Sequence, residues 1–552
     1  MRAAESIRFL SLVVSFLLSC RLIAAPAPVP TDSLLGNGDF ERSTDGMKPD
    51  EWPIGSGAKW EREGDNHFLR LTSPSPGANV MVYRAVPIPA EVKALEFSFK
   101  VRYNGIKRGK QAWFDGRVMM NFKDEKKEVV RPGPGAPAFS GTSAAWKESK
   151  GRFRVPPGAT MLELMFTLFQ AESGQIDFDD VKLRPVPLAE IEAAETAAAE
   201  KEKARIAALP KPAAKVPPAT PEQLPKPLHV VGNQIQTNEG KGVWLQGLAV
   251  PSMEWSATGE NILKSLEVGL SDWKANCIRL CVREDFWSGK GPYQKDGGML
   301  YRQTVDDAVN LCASRGAYIV LDLHDYRAPE EKHAIFWKEV AAKYKNHPAV
   351  IFELLNEPHD ISWEVWKNGG PVYDQKKNKD VAAENSDKLK SFDSIGMQRL
   401  VDVIRETGAN NLIVAGGLDW SYDLSGLLNG FALRDANGNG IMYSTHVYPW
   451  KSDWQGKFLA AAEKYPIFMG EVGADTQKMS FLPADKQEDP FTWVPDILGV
   501  IQKHHLNWTA WCFHPKATPR VISDWTYTPT PFWGEFVKKA LAGEHFEAKR
   551  LR

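Results

Sequence analysis

The sequence predicts an α/β protein in which a (β/α)₈ TIM barrel follows an all-β jelly-roll sandwich. In the first third of the chain, short alternating apolar runs lie between turn residues, which is typical of antiparallel sheets. Over residues 228–545, eight short apolar runs alternate with amphipathic stretches, which is typical of buried parallel strands joined by helices. A proline-rich stretch separates the two parts, so we predict two domains.

The composition is that of an ordinary globular protein. The chain has 552 residues, which is more than one ordinary domain needs, and 43% of them are hydrophobic. A net charge of -1 provides neither the basic surplus of a nucleic-acid-binding protein nor the acidic surplus of a disordered chain. The 19 tryptophans carry flat faces that suit stacking on sugar rings, although most of them are expected to fill cores.

The N-terminus, residues 1–27, has the pattern of a signal peptide. Arg2 and Arg8 precede an apolar run over 9–18, which is too short to span a bilayer, and small residues follow. In an alternative interpretation this is a lipoprotein signal, and Cys20 would carry the lipid. The pattern predicts a secreted, extracellular or cell-surface protein, with a periplasmic or lipid-anchored location as the alternative. No other segment has a transmembrane pattern.

Residues 31–187 are predicted to form the β-sandwich domain. The opening 36–41 and the closing 176–183 resemble the first and last strands of jelly-roll carbohydrate-binding modules. That resemblance makes Glu41 and Asp180 weak candidates for calcium ligands, because carboxylate oxygens suit this cation. A purely structural sandwich is the alternative. The candidate sugar-binding aromatics, without ranking, are Trp52, Trp60 and Trp113.

Residues 188–227 are predicted to link the two domains. The first part, 188–209, is rich in Ala, Glu and Lys and predicts a solvated helix. The second part, 210–227, carries many prolines and predicts an extended, semi-rigid spacer.

The eight apolar runs of residues 228–545 predict the barrel strands. A doubly wound open sheet is the alternative, but no Gly-rich phosphate turn follows the first run. Cys277 and Cys281 would lie about 13 Å apart in one strand, too far for a disulfide, so buried free thiols are expected. The eight runs are 243–247, 277–281, 318–323, 350–355, 411–415, 441–444, 466–470 and 507–512.

Polar residues mark the ends of these runs, and in such a barrel the strand ends form the site. Glu357 follows the fourth run and Glu471 follows the seventh. Facing carboxylates of this kind can cleave a glycosidic bond, one attacking and the other donating a proton. Arg279 and Tyr448 would keep Glu471 ionised, whereas burial and a like charge would keep Glu357 protonated. Two further carboxylates, Asp322 and Glu353, are expected inside the barrel as polar interior residues.

Residues 228–540 strongly resemble glycoside hydrolase family 5, a group of (β/α)₈ retaining glycosidases. The segment 352–358 (FELLNEP) resembles the acid/base signature of that family, and 468–471 (FMGE) resembles its nucleophile strand. The resemblance implies that Glu357 is the acid/base and Glu471 the nucleophile. It also implies a set of substrate-binding residues: Arg279, His324, Asn356, His446, Tyr448 and Trp511.

These residues predict a retaining endo-β-glycosidase that hydrolyses a β-1,4-linked polysaccharide, with glucan as first choice and mannan as second. No cofactor and no metal in the catalytic site are expected, and the oligomeric state stays open. The alternatives are a catalytically silent glycan-binding surface protein and a transglycosylase on the same scaffold. Tryptophans that follow strand ends are expected either to line sugar subsites or to pack ordinarily: Trp255, Trp287, Trp363, Trp420 and Trp450.

Overall fold

The structure is a computed structural model that describes residues 32–375, 388–480, 482–483 and 487–552. The predicted signal peptide, with Cys20, lies outside the described residues. The chain divides into two compact units, Met1–Ala204 and Arg205–Arg552. Among the described residues, no helix combines the length and the apolar character needed to cross a membrane.

The first unit contains two antiparallel sheets, as the alternating runs predicted. One sheet has the order β1-β2-β10-β4-β8, and the other has the order β3-β9-β5-β6, with β7 paired to β5. The strands are β1 (Ala58–Glu63), β2 (Asn66–Thr72), β3 (Asn79–Pro87), β4 (Ala94–Lys107), β5 (Gly116–Lys123), β6 (Val129–Val130), β7 (Ala138–Phe139), β8 (Gly141–Arg154), β9 (Met161–Phe169) and β10 (Ser173–Pro185).

The core of this unit forms because successive strand residues point to opposite faces. Along β5, for example, every second residue is buried and those between are partly exposed. Phe99, Phe166 and Phe178 meet in the core with ring centroids 5.0–6.3 Å apart. The all-β prediction for this part of the chain is confirmed.

The two candidate calcium ligands have protein partners in the structure. Glu41 accepts a hydrogen bond from the backbone N–H of His67 at 2.6 Å and lies 2.7 Å from its ring. The carboxylate of Asp180 lies 2.7 Å from the ammonium group of Lys100. Among the described residues, Glu41 and Asp180 do not come together in a group that could hold a metal ion. The calcium hypothesis for Glu41 and Asp180 therefore stays a prediction.

A helix and a hairpin lead into the barrel. Helix α1 (Leu188–Ala207) matches the predicted solvated helix, since Ile191 is its one buried residue. Strands β11 (Leu228–Val231) and β12 (Gln234–Thr237) pair antiparallel. The remaining strands are β13 (Gln246–Val250), β14 (Cys277–Val282), β15 (Tyr318–Leu323), β16 (Tyr326–Arg327), β17 (Val350–Glu353), β18 (Glu357–Pro358), β19 (Gly370–Gln375), β20 (Lys388–Ser394), β21 (Ile413–Gly416), β22 (Ile441–Val447), β23 (Ile467–Val472) and β24 (Asn507–Ala510).

Eight of these strands close into the predicted parallel barrel, in the order β13-β14-β15-β17-β21-β22-β23-β24. Short 3₁₀ and π helices, at Ser425–Asn429 and Gln455–Leu459, lie in its loops. The α-helices of this unit are α2 (Ile262–Ser271), α3 (Glu284–Trp287), α4 (Met299–Ser314), α5 (Glu331–Lys343), α6 (Trp363–Asn368), α7 (Gly396–Glu406), α8 (Leu418–Ser421), α9 (Ala460–Ala462), α10 (Pro490–Lys503) and α11 (Gly534–Leu541).

The first barrel strand begins three residues later than predicted. Val243 donates its N–H to Ile235 of the preceding hairpin, and Leu245 donates its N–H to the side chain of Asn507. Val243 and Leu245 therefore belong to the apolar cluster at the amino ends of the barrel strands, and the parallel pairing starts only at Gln246.

The buried thiols agree with the prediction. All four cysteines of the barrel unit are free, and burial raises the pKa of each thiol, so they behave as small apolar residues. They are Cys277, Cys281, Cys312 and Cys512.

Candidate active site

The predicted site residues converge at the carboxyl ends of the barrel strands. Arg279 lies within β14, Glu471 lies near the end of β23, and Glu357 follows β17 by four residues. Parallel strands deliver their carboxyl ends to one face of the barrel, so residues far apart in sequence meet there. The structure brings all eight predicted positions into one connected group.

Arg279 is the centre of this group and is completely buried. Its guanidinium donates to Glu353 at 2.6 Å, to Glu471 at 3.0 Å and to the side-chain carbonyl of Asn356 at 2.6 Å, and it lies 3.1 Å from Asp322. A planar guanidinium has five N–H donors on three nitrogens and can serve these four side chains in different directions, whereas an ammonium group has three donors on one nitrogen. One arginine therefore fixes the orientation of the predicted nucleophile and of the residue before the predicted acid.

Glu471 has the environment that a carboxylate nucleophile needs. Burial raises its pKa, and this effect is opposed by the charges of Arg279 and His324 and by the hydroxyl of Tyr448. Tyr448 donates its hydroxyl to one carboxylate oxygen while Arg279 donates to the other. Hydrogen bonds to the ionised form favour that form, so Glu471 is the more readily ionised member of the predicted pair.

Glu357 has the environment of an acid. Burial, and then the negative charge of Glu471, raise its pKa well above the usual value. The charges of His324, Arg279 and Lys451 oppose this shift. In contrast with Glu471, it accepts no hydrogen bond from Arg279; its partner is a ring nitrogen of His446 at 2.9 Å.

The two carboxylates lie close together. One oxygen of Glu357, one oxygen of Glu471 and a ring nitrogen of His446 all lie within 4.8 Å of one another. Burial, followed by the charge of Arg279, lowers the pKa of His446 well below its usual value, so this ring is neutral. A neutral ring can carry its hydrogen on Nδ1 and donate it to Glu357. Carboxyl groups with oxygens this close can act together on a single bond of a bound sugar.

His324 has two carboxylate partners, and sequence reasoning missed one of them. Its Nδ1 lies 2.6 Å from Asp322, and its Nε2 lies 2.7 Å from Glu254. Burial lowers the pKa of His324, but the charges of Glu254 and Asp322 outweigh burial and raise that pKa well above the usual value. Both nitrogens therefore carry hydrogens. The indole of Trp511 stacks on this ring, with centroids 5.5 Å apart and planes 8° apart.

Three groups of side chains among the described residues have ligand atoms close enough to hold a metal ion. In the group of Glu254, Cys281 and His324, both ring nitrogens of His324 already pair with carboxylates. The prediction that no cofactor is needed stays a prediction. The groups are Glu254 with Cys281 and His324, Glu284 with Asp325 and His333, and Glu357 with His446 and Glu471.

Comparison with known proteins places the barrel in a family. A family model described as cellulase, glycosyl hydrolase family 5, matches residues 237–517. The chain belongs to glycosyl hydrolase family 5. The matched residues comprise the strands and loops that carry the eight site positions, so the resemblance of the two sequence motifs reflects membership of family 5.

The curated relatives that the chain matches have low sequence identity to it. Endoglucanase E-5 from Thermobifida fusca is 24% identical over 319 residues, which cover 55% of this chain and 59% of that protein. Endoglucanase CelA from Streptomyces lividans is 24% identical over 306 residues, covering 52% and 57%. The chain thus spans less than two thirds of the length of these relatives. A crystal structure of β-glucanase SdGluc5_26A from Saccharophagus degradans, in complex with cellotetraose, is 22% identical, with a TM-score of 0.46 over 61% of this chain and 98% of that one.

Of the tryptophans predicted at the strand ends of this family 5 barrel, two stand out by exposure. Trp255 follows the first strand and Trp420 follows the fifth; they are 44% and 43% exposed. Trp450 stacks on Tyr448, with centroids 4.9 Å apart. Trp287 is buried and packs at an edge against Phe336, and Trp363 packs against Trp366, so neither of them presents a free face.

Proposed function

We propose that this protein is a retaining endo-β-glycosidase that hydrolyses β-1,4-linked glucan through a covalent glycosyl-enzyme intermediate. The observation that carries the proposal is the short separation of Glu357 and Glu471 combined with their different environments. Retaining glycosidases keep their carboxyl groups about 5–5.5 Å apart, whereas inverting enzymes keep them about 6.5–9.5 Å apart.

In the first step, a carboxylate oxygen of Glu471 attacks the anomeric carbon of the sugar. A glycosyl ester bond forms, the glycosidic bond breaks, and the leaving oxygen takes the proton of Glu357. In the second step, a water molecule gives a proton to Glu357 and attacks the same carbon, and the ester bond breaks. Glu471 returns to its ionised form and Glu357 to its protonated form.

The neighbouring residues support both steps. Arg279 and Tyr448 orient the attacking carboxylate by binding one oxygen each. Donation from His446 to Glu357 stabilises the charge that appears when the proton leaves. Trp511, parallel to the ring of His324, offers a flat apolar surface for the reacting sugar.

Glucan is the first choice of substrate because both relatives described above are endoglucanases. Mannan remains the second choice. Endo action fits the mouth of the barrel, because exposed Trp255 and Trp420 follow the first and fifth strands, which lie opposite each other in an eight-stranded barrel. A chain could therefore extend past both sides of the carboxylate pair.

The remaining parts of the proposal concern the sandwich and the location. We propose that the sandwich of 31–187 holds the enzyme on its polysaccharide, which would raise the local substrate concentration. Trp113 supports this because it is 49% exposed, whereas Trp52 is buried and Trp60 is only partly exposed. A polymeric substrate fits a secreted or cell-surface enzyme, as the signal-peptide pattern of 1–27 predicts.

The test compares the wild type with Glu471→Ala and Glu357→Ala on soluble β-glucan. Each substitution should lower release of reducing sugar by at least about 100-fold, the lower limit for losing one acid–base group. Azide should restore turnover of an activated aryl glycoside by Glu357→Ala and give a product with retained anomeric configuration. Glu267→Ala, an exposed carboxylate of α2 paired with Lys264, is the matched control and should keep full activity.

Each alternative has its own outcome in this experiment. Polysaccharide binding without any release of sugar by the wild type would support the silent glycan-binding protein. Products longer than the substrate would support the transglycosylase. Full activity of Glu471→Ala would refute the assigned nucleophile.

A further inference from the structure

A buried thiol lies among the polar residues at the mouth of the barrel, and the proposed mechanism does not use it. Cys281 comes two residues after Arg279 in β14, so both side chains point to the same face of the strand, into the barrel. On the neighbouring strand, Asp322 pairs with Cys281, and His324 follows Asp322 by two residues. The alternation of side chains along both strands therefore brings the thiol of Cys281 beside the ring of His324.

With Glu254, these two residues form a compact group of three different ligand types. The Sγ of Cys281, a ring nitrogen of His324 and a carboxylate oxygen of Glu254 all lie within 4.8 Å of one another. Thiolate, imidazole and carboxylate all bind zinc, at distances of about 2.0–2.3 Å. A tetrahedral ion with such bonds holds neighbouring ligand atoms about 3.4–3.6 Å apart. Small shifts of these side chains would therefore enclose an ion.

The surroundings of His324 orient its ring in the way a metal ligand needs. Its Nδ1 is held by Asp322 at 2.6 Å, while its Nε2 points to Glu254 at 2.7 Å. Metal-binding histidines commonly donate their second N–H to a carboxylate, which fixes the ring and makes the other nitrogen a stronger ligand. A cation would therefore replace the hydrogen that lies between Nε2 and Glu254, while Asp322 keeps the ring in place.

This exchange leaves the charge of the buried group unchanged. A divalent ion brings two positive charges, and its binding releases two protons to water, one from Nε2 of His324 and one from the thiol of Cys281. Burial raises the pKa of this thiol, whereas the charge of His324 and a hydrogen bond with its ring oppose the rise. A coordinating thiol is deprotonated by the ion itself, and no unbalanced charge enters the barrel, so burial does not prevent binding.

We propose that Cys281, His324 and Glu254 form an inhibitory site for one thiophilic divalent cation, such as Zn²⁺ or Cd²⁺. The soft thiolate selects such ions over Mg²⁺ and Ca²⁺, which prefer oxygen ligands. The ring of His324 stacks on Trp511 and is predicted to bind the substrate, so an ion on Nε2 competes with the sugar. Binding of the ion is independent of the proposed function, and only the inhibition rests on it.

The test measures inhibition and binding separately. Inhibition by Zn²⁺ is measured on a soluble aryl β-cellobioside in metal-free buffer, with Mg²⁺ as the hard-cation control. Binding is measured by titration with Cd²⁺, which gives an ultraviolet charge-transfer absorption when a thiolate coordinates it. The wild type should bind one Cd²⁺ per chain with this absorption and should be inhibited by Zn²⁺ but not by Mg²⁺. Added cellobiose should weaken the inhibition.

Three variants assign the effect to one thiol. Cys281→Ala should raise the Zn²⁺ concentration for half-inhibition by about 100-fold or more, because loss of an outer-shell partner alone costs about 10- to 100-fold in affinity. Cys281→Ser keeps the shape of the side chain and should also lose the cadmium absorption. Without added metal both variants should match the wild-type activity, which shows that they fold. Cys312→Ala removes an equally buried thiol from α4 and should keep both the inhibition and the absorption.

The outcomes separate this inference from the proposed function. Equal inhibition of the wild type and Cys281→Ala by Zn²⁺ would overturn the inference, and so would a cadmium absorption that persists in Cys281→Ala. A wild type that neither binds Cd²⁺ through a thiolate nor responds to Zn²⁺ would overturn it as well. A wild type without glycosidase activity would overturn the proposed function, and the cadmium titration would still decide whether the site exists.

Discussion

Tyr448→Phe removes one hydrogen bond to the proposed nucleophile and little else. The hydroxyl of Tyr448 donates to Glu471, and the ring stacks on Trp450 with planes 5° apart. Because a phenylalanine ring keeps that stacking, the variant should retain the local packing. Arg279 still donates to the other oxygen of Glu471 at 3.0 Å. The substitution therefore isolates the effect of the hydroxyl on the ionisation of Glu471.

The size and sign of the effect follow from the pKa of Glu471. The hydroxyl of Tyr448 lowers this pKa by stabilising the ionised form, so its loss raises the pKa. A hydrogen bond to a charged group contributes about 1.5–3 kcal/mol, and one pKa unit corresponds to about 1.36 kcal/mol. The pKa of Glu471 should therefore rise by about 1–2 units. The attack requires ionised Glu471, so activity is lost at the acidic side of the profile.

The assay is the pH dependence of kcat/KM on a soluble aryl β-cellobioside, which reports ionisations of the free enzyme. The acidic limb should move to higher pH by about 1–2 units. Tyr344→Phe is the matched control, because Tyr344 donates its hydroxyl to the carboxylate of Asp306 at 2.6 Å, away from the site. A profile that drops uniformly, with its acidic limb unmoved, would refute the assignment of Tyr448 as the residue that keeps Glu471 ionised.

Two further predictions concern residues that the sequence did not single out. Glu254→Gln removes one of the two charges that hold His324 protonated, so NMR titration should show a lower pKa for His324. The value of kcat/KM should fall by about 10- to 100-fold, and wild-type behaviour in both measurements would show that Glu254 has no role. In Gly470→Ala the new Cβ would lie 2.5 Å from Oγ of Ser444 and 3.2 Å from Nε2 of His446. Denaturant titration should show a loss of about 1–3 kcal/mol in unfolding free energy, and an unchanged value would mean that the strands can separate locally.

Much of the barrel could be predicted because its strands are buried on both faces. Such strands appear in the sequence as continuous apolar runs, and the run at 318–323 coincides with β15. The strand ends then located the polar residues, since all parallel strands point the same way. Glu357 and Glu471 follow from this reasoning without knowledge of any contact between them.

Glu254 was missed for a local reason. The first run was placed at 243–247, so Glu254 seemed to lie well beyond a strand end. The strand in fact ends at Val250, because Val243 and Leu245 use their N–H groups outside the barrel ladder. No apolar pattern distinguishes these arrangements, since a tertiary hydrogen bond to Asn507 decides where the strand begins.

The left-handed turn of Asp419, Trp420 and Ser421, after the fifth barrel strand, was missed for a different reason. A tryptophan after a strand end is as often ordinary packing as a sugar platform, and the sequence ranked five of them equally. What separates Trp420 from buried Trp287 is a left-handed backbone held by Asn356 and Lys451. These contacts join residues 32 or more positions apart, and no local propensity encodes them.

The charge on Glu471 depends on more residues than a pair of neighbours. Arg279 faces three buried carboxylates, Asp322, Glu353 and Glu471, and the protonated ring of His324 adds a second positive charge beside Asp322. Burial raises the pKa of Glu353 to about 7, with Arg279 opposing this shift and the charge of Asp322 adding to it. Near neutral pH both forms of Glu353 are therefore populated, and in its protonated form the charge of Arg279 acts on Asp322 and Glu471 alone. The ionisation of the proposed nucleophile is thus set jointly by β14, β15, β17 and β23, and the closed barrel is what brings these four strands together.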